Sequence, residues 1–377
     1  MNVMKNHIYA DNAATTKLDK DAFEAMVPWL TEEYGNPSQP YSFSRSTKKA
    51  LADARETIAA CINAEPDEIL FTSGGTESDN WAIKGIAHLN NDKRTIISSA
   101  FEHHAVLRSC ESIERLGYPV VYVCPDRNGI ITPYVLKSTI TDKTILVSVM
   151  YVNNELGTIQ PIKELCEIAH SHNALFHTDA VQAVGHLEID VKQIGVDLLS
   201  ASAHKFNGPK GIGFLYIRRG VNLPSYADGG SQEFGTRAGT ENVAAIVGMA
   251  IALKKNTEAL KTNQDKVRAL EKQLIDKMNA SHIPYIRNGS SQNLPGIMSL
   301  SFDGNNGEAI LHRMDLLGIS ISTGSACDSK NTEISHVLKS IKLDERYARG
   351  TIRISLGKDN SQDDVDAIVQ ALTRIIK

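Results

Sequence analysis

The sequence predicts an α/β protein: a large first domain on a mainly parallel sheet, then a smaller α+β domain. Short apolar runs bounded by Gly, Pro and polar residues recur as far as Ile217, with helical patterns between them. That alternation is what a parallel sheet with crossover helices needs. Beyond a long helical region, Glu241 to Ala280, the rhythm changes to strand, helix, strand, loop, strand and helix. The chain has 377 residues, of which 42% are hydrophobic, enough for a large core and more than one domain.

Each element has a local reason. Residues 17–34 place Ala22, Phe23, Met26, Val27 and Leu30 at helical spacing, and Gly35-Asn36-Pro37-Ser38 ends the pattern. Ser46 to Ile62 repeats it with Ala50, Leu51, Ala54, Ile58 and Ala59. Ile69-Leu70-Phe71 is a brief strand, and a helix runs from Glu77 to about Leu89. Strands follow at Arg94–Ser98, Val120–Cys124 and Ile145–Met150, with a helix from Glu102-His103-His104 through Leu116 between the first two. Pro161 starts another helix. The runs Ala174–Ala180, Gly195–Leu199 and Phe214–Ile217 complete the first domain. The second holds strand Ile297–Phe302, helix Gly307–Leu317, strands Ile319–Ser322 and Thr351–Leu356, and helix Gln362–Ile376.

Bulk properties narrow the partners. A formal net charge of −4 gives no electrostatic case for nucleic acid or an anionic membrane. No apolar run reaches the roughly 18 residues of a membrane span, and MNVMKNHIYADNA lacks the apolar core of a signal peptide. The five cysteines include no C-x-x-C pair. This points to free thiols in a reducing cytosol, without a disulfide framework or a resident zinc site.

The chemistry gathers at strand exits. Lys205 lies in SASAHKFNGPKGIG, between two apolar runs and among small residues that let other groups approach. Alone it reads as a solvated loop lysine; desolvated, its amine forms Schiff bases. Asp179 ends an apolar run, with Gln182 just after it. Alone, Asp179 reads as a helix N-cap. A carboxylate at one strand end and a lysine at the next suit pyridoxal phosphate, the first holding the ring nitrogen protonated and the second carrying the aldehyde. Thr72-Ser73-Gly74-Gly75-Thr76-Glu77-Ser78 joins a strand to a helix, and free amides with the positive dipole end make a phosphate site there. Polar groups from several exits, Thr76, His103, Asn154, Asp179 and Lys205, meet at one sheet edge, where open α/β sheets bind ligands. Cys327 sits in the small, polar, loop-like stretch Ser322–Asn331, unlike the other cysteines, which end a strand or sit on helical patterns. An exposed thiol there suits attack or group transfer. Arg353, within an alternating strand, suits a bidentate grip on a carboxylate, although a surface ion pair is the commoner use.

Nine motifs together resemble a known family: Asp11–Thr16, Thr72–Ser78, Glu102-His103, Asn153–Thr158, His177–Gln182, Ser202–Lys205, Arg237–Asn242, Gly324–Cys327 and Arg353. The sequence resembles the cysteine desulfurases of the NifS/IscS type, class V aminotransferases among the fold-type I pyridoxal phosphate enzymes. That resemblance implies a seven-stranded, mainly parallel sheet in a large domain, residues 15–257. The small domain would comprise 1–14 and 258–377 and carry the catalytic loop at about 322–335. It implies Lys205 as the Schiff-base lysine, Asp179 on the pyridinium nitrogen, Gln182 on the ring hydroxyl and His103 stacked on the ring. Gly75, Thr76, Ser202 and His204 would hold the phosphate, with Thr240 arriving from the second subunit of a homodimer. Asn12, Asn154 and Arg353 would hold the substrate, L-cysteine, and Asn154 would also contact the cofactor. Cys327 would take its sulfur as a persulfide, through which it could transiently ligate an iron–sulfur cluster, and L-alanine would leave.

The long stretch from Cys327 to the Arg353 strand is similar to the branch that hands sulfur directly to iron–sulfur scaffolds or tRNA-thiolation enzymes in the cytoplasm. Pro40–Arg45 stands where relatives usually carry His and Gly, and Thr236 where a second arginine is common. A selenocysteine lyase or an aminotransferase would share Lys205, Asp179 and the phosphate turn but has no need of a loop cysteine. A catalytically silent relay protein would show erosion at Lys205, Asp179 or His103, and none is present.

Overall fold

The computed structural model of the chain describes residues 7–89, 94–324 and 334–376. Its strands are β1 (Ile8–Tyr9), β2 (Ile69–Thr72), β3 (Thr95–Ser99), β4 (Val120–Val123), β5 (Thr144–Ser148), β6 (Leu175–Asp179), β7 (Leu198–Ser202), β8 (Gly213–Ile217), β9 (Ile286–Asn288), β10 (Ile297–Ser301), β11 (Ile319–Ser320) and β12 (Thr351–Ser355). Seven form one sheet, in the order β2-β8-β7-β6-β5-β3-β4. β3 to β7 are parallel, while β8 lies antiparallel between β2 and β7. β2 therefore points the same way as β7, and the carboxyl ends of β2, β3, β5, β6 and β7 open on one edge.

Alternation along the strands fills both faces. Phe71, Ile97, Val147, Leu199 and Phe214 join one apolar cluster with the helices Arg45–Cys61, Ile162–Ser171 and Val243–Glu258. Their neighbours Leu70, Ile96, Leu146, Leu198 and Leu215 join another, with the helices Gly75–Ala87 and His104–Glu114. A third cluster packs β10 and β12 against the helices Leu260–Ala280 and Gln362–Ile376. The start of the chain belongs to it: β1 pairs with β11, Ala10 is buried there, and Ser355 N donates to Ala10 O at 2.8 Å.

The helical region read as Glu241–Ala280 is two helices, Val243–Glu258 and Leu260–Ala280, parted at Ala259. The first packs into the large sheet's core and the second into the third cluster, so the axis breaks where the packing partner changes. The first helix covers Lys20–Thr31, shorter than its pattern, because the Asp19 carboxylate caps it by accepting from Asp21 N and Ala22 N. β9 and the helix Pro133–Thr139 carry too few periodic residues to be read from sequence.

One buried ion pair ties the glycine-rich stretch after β8 to the sheet. Arg55 grips Glu233 with two bonds, at 2.9 and 2.7 Å, and Glu233 also accepts from Phe71 N at 2.8 Å. Glu233 and Phe234 both hold positive φ, 44° and 58°. A non-glycine pair keeps that conformation only where its surroundings impose it, and Arg55 does so.

A polar seam crosses the sheet interior. His177 on β6 bonds Ser148 Oγ of β5 at 2.8 Å and Ser200 Oγ of β7 at 3.0 Å. Burial pushes the imidazole's pKa down to about 3, from the usual 6.5. Between those values the unfolded chain binds a proton that the folded chain refuses. This residue's share of stability is therefore whole above pH 6.5 and is lost as the pH falls toward 3. The variant His177→Gln should lose less unfolding free energy than the wild type between about pH 7.5 and about pH 5. Urea titrations at the two values measure this, and equal losses would refute it.

Candidate active site

The phosphate turn is built by close approach. Gly74 has φ 144°, and a Cβ on it would stand 3.3 Å from Ser202 Oγ; one on Gly75 would stand 2.5 Å from Val181 Cγ2. Only glycine at both positions lets the exits of β2, β6 and β7 touch. Ser78 Oγ locks the turn through Thr72 Oγ1 at 2.8 Å and Phe214 O at 3.2 Å. The helix Gly75–Ala87 starts here, so its unpaired amides and positive end face the cavity. Thr76, Ser202 and His204 line the same wall. The His204 ring lies 3.1 Å from Thr15 Oγ1, and burial, then the charges of Lys205 and Lys210, push its pKa down to about 4.

The cavity encloses about 510 Å³. Lys205 enters it from the short turn after β7, its Nζ donating to Ala13 O at 2.6 Å and Ala14 O at 2.9 Å. Gln182 Nε2 donates to Ala13 O at 2.8 Å. Asp179 ends β6 and accepts from Val181 N at 3.0 Å. Burial pushes its carboxyl pKa up, against the opposing pull of His103 and Lys205. His103 precedes the helix His104–Glu114, and its Nδ1 accepts from Ala105 N at 3.1 Å. Burial holds this imidazole's pKa low, so the ring is neutral with its proton on Nε2.

Two buried acids, neither assigned a role from sequence, stand at this site: Asp79 lines the cavity and Glu102 lies behind it. Asp79 is 1% exposed and offers an oxygen within 4.8 Å of both Asp179 and His103. Its Oδ1 has no hydrogen-bond partner among the described residues, the nearest ring nitrogen being His177 Nε2 at 3.6 Å. Burial, then the charge of Asp179, pushes its pKa up. Glu102 accepts from Ser99 Oγ and from Met150 N at 2.9 Å, and burial pushes its pKa to about 8. Asp79 had a sequence signal: it shares a stripe with Ala82, Ile83 and Ile86, a lone charge among buried apolar residues.

On the opposite wall, Arg353 of β12 is 2% exposed and lines the cavity beside Asn154. Its guanidinium donates to Asn154 O at 2.9 Å and Asp11 Oδ1 at 2.7 Å, leaving Nε unpaired among the described residues. Asn12, expected at the substrate, does not line this cavity. Its amide donates to Ser355 O at 2.9 Å and Asn360 Oδ1 at 3.2 Å. Asp11 bridges to Ser355 and the chain turns directly after it, Ala14 N donating to Asp11 O at 3.0 Å, so Asn12 faces Ser355 and Asn360 while Asp11 takes the side of Arg353. Thr240 is exposed and lies off the cavity lined by its own chain. Cys327 lies outside the described residues; Gly324 and Ile334 flank that stretch.

The donor set fits pyridoxal phosphate. A helix start with two glycines accepts a dianion. Asp179, buried with its pKa raised, gains from a cationic ring nitrogen, and a primary amine stands in the same cavity.

Known proteins match this arrangement along nearly the whole chain. Residues 8–368 match the family described as Aminotransferase class-V. A cysteine desulfurase IscS from Clostridium botulinum (strain Hall) is 48% identical over 379 residues, covering 99% of this chain and 95% of its own length. One from Dictyoglomus turgidum is 47% identical with the same coverage. A solved "NifS-like protein" superposes with a TM-score of 0.92 at 36% identity, over 98% of this chain and 99% of that one. The structure "SspA in complex with cysteine" gives 0.84 at 36% identity, over 94% and 100%. The sheet is the one fold type I implies, and this chain belongs to the class-V aminotransferase family, in its NifS/IscS-type branch.

Proposed function

We propose that this protein is a pyridoxal phosphate-dependent cysteine desulfurase that moves the sulfur of L-cysteine onto Cys327 and releases L-alanine. The observation that carries the reading is one cavity in which Lys205, Asp179, His103 and the Gly74–Gly75 helix start converge opposite Arg353. The substrate C–S bond breaks, its carbon gains a proton, and its sulfur bonds to the Cys327 sulfur. One cysteine and one thiol thus become one alanine and one persulfide. The bound cofactor supplies the electron sink this requires.

The chain's own groups do the rest. Gly75, Thr76, Ser202 and His204 would take the phosphate. Asp179 would hold the ring nitrogen, Gln182 the ring hydroxyl and His103 a ring face. Lys205 would hold the aldehyde, and its amine would move the substrate's α-proton, with His103 Nε2–H as a second proton carrier. Arg353 and Asn154 hold the substrate carboxylate, Arg353 by yielding part of its bond with Asp11. The Cys327 thiolate attacks the substrate sulfur and then carries the persulfide to an acceptor.

The wider assignments follow the same reading. Residues 15–257 serve as the large domain, with 1–14 and 258–377 as the small one. Two subunits pair, and Thr240 of each reaches the phosphate of the other. Exposed Phe23 and Leu30, and the exposed Tyr34–Phe43 ring pair, support an apolar contact between copies. The acceptor is an iron–sulfur scaffold or a tRNA-thiolation enzyme of the cytoplasm, a choice supported by the IscS name of the relatives. No helix among the described residues is long and apolar enough to cross a membrane.

Sulfide and alanine release from L-cysteine with a thiol reductant tests the reading. Cys327→Ala should keep the visible band of the bound cofactor and lose more than about 100-fold in sulfide release. A mutant releasing sulfide at the wild-type rate would establish a lyase instead, and a wild type that binds no pyridoxal phosphate would sink the enzyme. Arg353→Lys keeps the charge but loses the planar fork. It should raise KM for L-cysteine by roughly tenfold or more while kcat falls less, since the contact is made before and during the reaction alike. Initial rates across substrate concentration decide this, and an unchanged KM would take Arg353 out of the substrate site.

A further inference from the structure

Glu155 is 2% exposed, yet its carboxylate enters no step of the reaction described above. It sits on a turn held from within: Asn153 Oδ1 accepts from Glu155 N and Leu156 N, both at 2.9 Å, and Asn153 Nδ2 donates to Phe101 O at 3.1 Å. The preceding residue, Asn154, lines the substrate cavity and gives its carbonyl to Arg353. The Glu155 carboxylate points the other way along the chain's map, toward the residues that flank the Cys327 stretch. Ser335 Oγ donates to Glu155 Oε2 at 2.7 Å, and a Cβ on Gly324 would stand only 2.7 Å from the same oxygen. One buried oxygen therefore bonds one side of the stretch and fills the space where the other side has no room for a side chain.

Each flank is also tied to the substrate wall. Ser322 exchanges backbone bonds with Arg353, at 3.0 and 2.7 Å, and its Oγ donates to Gly324 O at 3.1 Å. On the other side, His336 Nε2 lies 2.9 Å from Glu102 O, next to His103, and Ser340 Oγ donates to Ala100 O at 3.1 Å. A carboxylate between two chain segments fixes their separation more firmly than an apolar contact does, because it accepts only along its lone pairs.

We propose that Glu155 is a positioning residue for sulfur transfer: through Ser335 and Gly324 it sets where the ends of the Cys327 stretch stand relative to the Asn154–Arg353 carboxylate site. The inference rests on the desulfurase reading and deepens it. The two reacting sulfurs come from these two places, and small errors in such a distance are costly to rate.

The test uses the holoenzyme and a single turnover. Enzyme is mixed with L-cysteine without reductant, and the persulfide on Cys327 is trapped by alkylation and counted by intact mass against time. Glu155→Leu should form it about tenfold or more slowly than wild type, with the cofactor's visible band and KM for L-cysteine retained. Glu155→Gln still offers an oxygen to Ser335 and should restore the rate to within about threefold. Ser335→Ala, which needs no change in the buried turn, should slow the step in the same way by a smaller factor. A Glu155→Leu protein at the wild-type rate would overturn the inference, as would a Glu155→Gln protein as slow as Glu155→Leu, or a loss matched by loss of the cofactor band. The parent reading fails separately: if Cys327→Ala makes alanine at the wild-type rate in the first turnover, both fall, whereas an inactive Cys327→Ala beside a fast Glu155→Leu removes this inference alone.

Discussion

A carboxyl group buried among other acids needs a cation, and Asp179 is placed in that position. Asp79 lies within 4.8 Å of it, and Glu102 is buried nearby. On its own wall Lys205 opposes it, while burial disfavours the charged form of the neighbouring His103. Nothing in packing energy favours such a cluster, since each ionised acid is costly to remove from water. The arrangement makes sense around a bound positive ring, and the rest of the site is shaped to hold one there. On the reading proposed above, the glycine turn would take a phosphate and Asp179 a cationic ring, and the distance between the β2 and β6 exits would act as a ruler for the ligand.

That ruler depends on a stiff frame. The central parallel strands β5, β6 and β7 are almost wholly buried, and the Ser148–His177–Ser200 seam crosses them directly behind the acids. A neutral imidazole between two hydroxyls is satisfied on both nitrogens without adding charge. Glu102, its pKa raised to about 8, is likewise a neutral acid near pH 7 and clasps the β3 exit to the β5 exit through Ser99 and Met150. The site thus confines its ionised groups to the ligand side and keeps the supporting layer hydrogen-bonded and neutral.

Much of this was legible in the sequence, for a physical reason. Lys205, Asp179, Gln182, His103 and the Thr72–Ser78 turn follow apolar strands, and a polar residue at a strand exit in an α/β sheet has one edge on which to gather. Asn12 turns toward Ser355 and Asn360 while its neighbour Asp11 faces Arg353, and motif membership says nothing about which way a side chain leaves a turn. Asp79 and Glu155 were missed for another reason. Each is a buried charge whose partners lie far along the chain, at Asp179 and at Ser335, so its environment exists only after folding. The break at Ala259 was invisible in the same way, since both helices around it are good helical sequence and only their packing partners differ.

Arg353 shows how the two halves of the molecule are joined in the chemistry. Its backbone belongs to the sheet of the third cluster, and its guanidinium reaches the turn that leaves β5 of the large sheet. The same side chain pairs with Asp11, from the segment that joins the chain's start to β12. A carboxylate ligand arriving at this guanidinium competes with Asp11 for a fork that has one unpaired nitrogen to spare. Such binding, on the proposed reading, would shift bonds at the point where the start of the chain, the large sheet and the third cluster meet. A lysine would hold the charge but could not serve three partners in fixed directions, which is why the planar group is required at a residue with so little exposure.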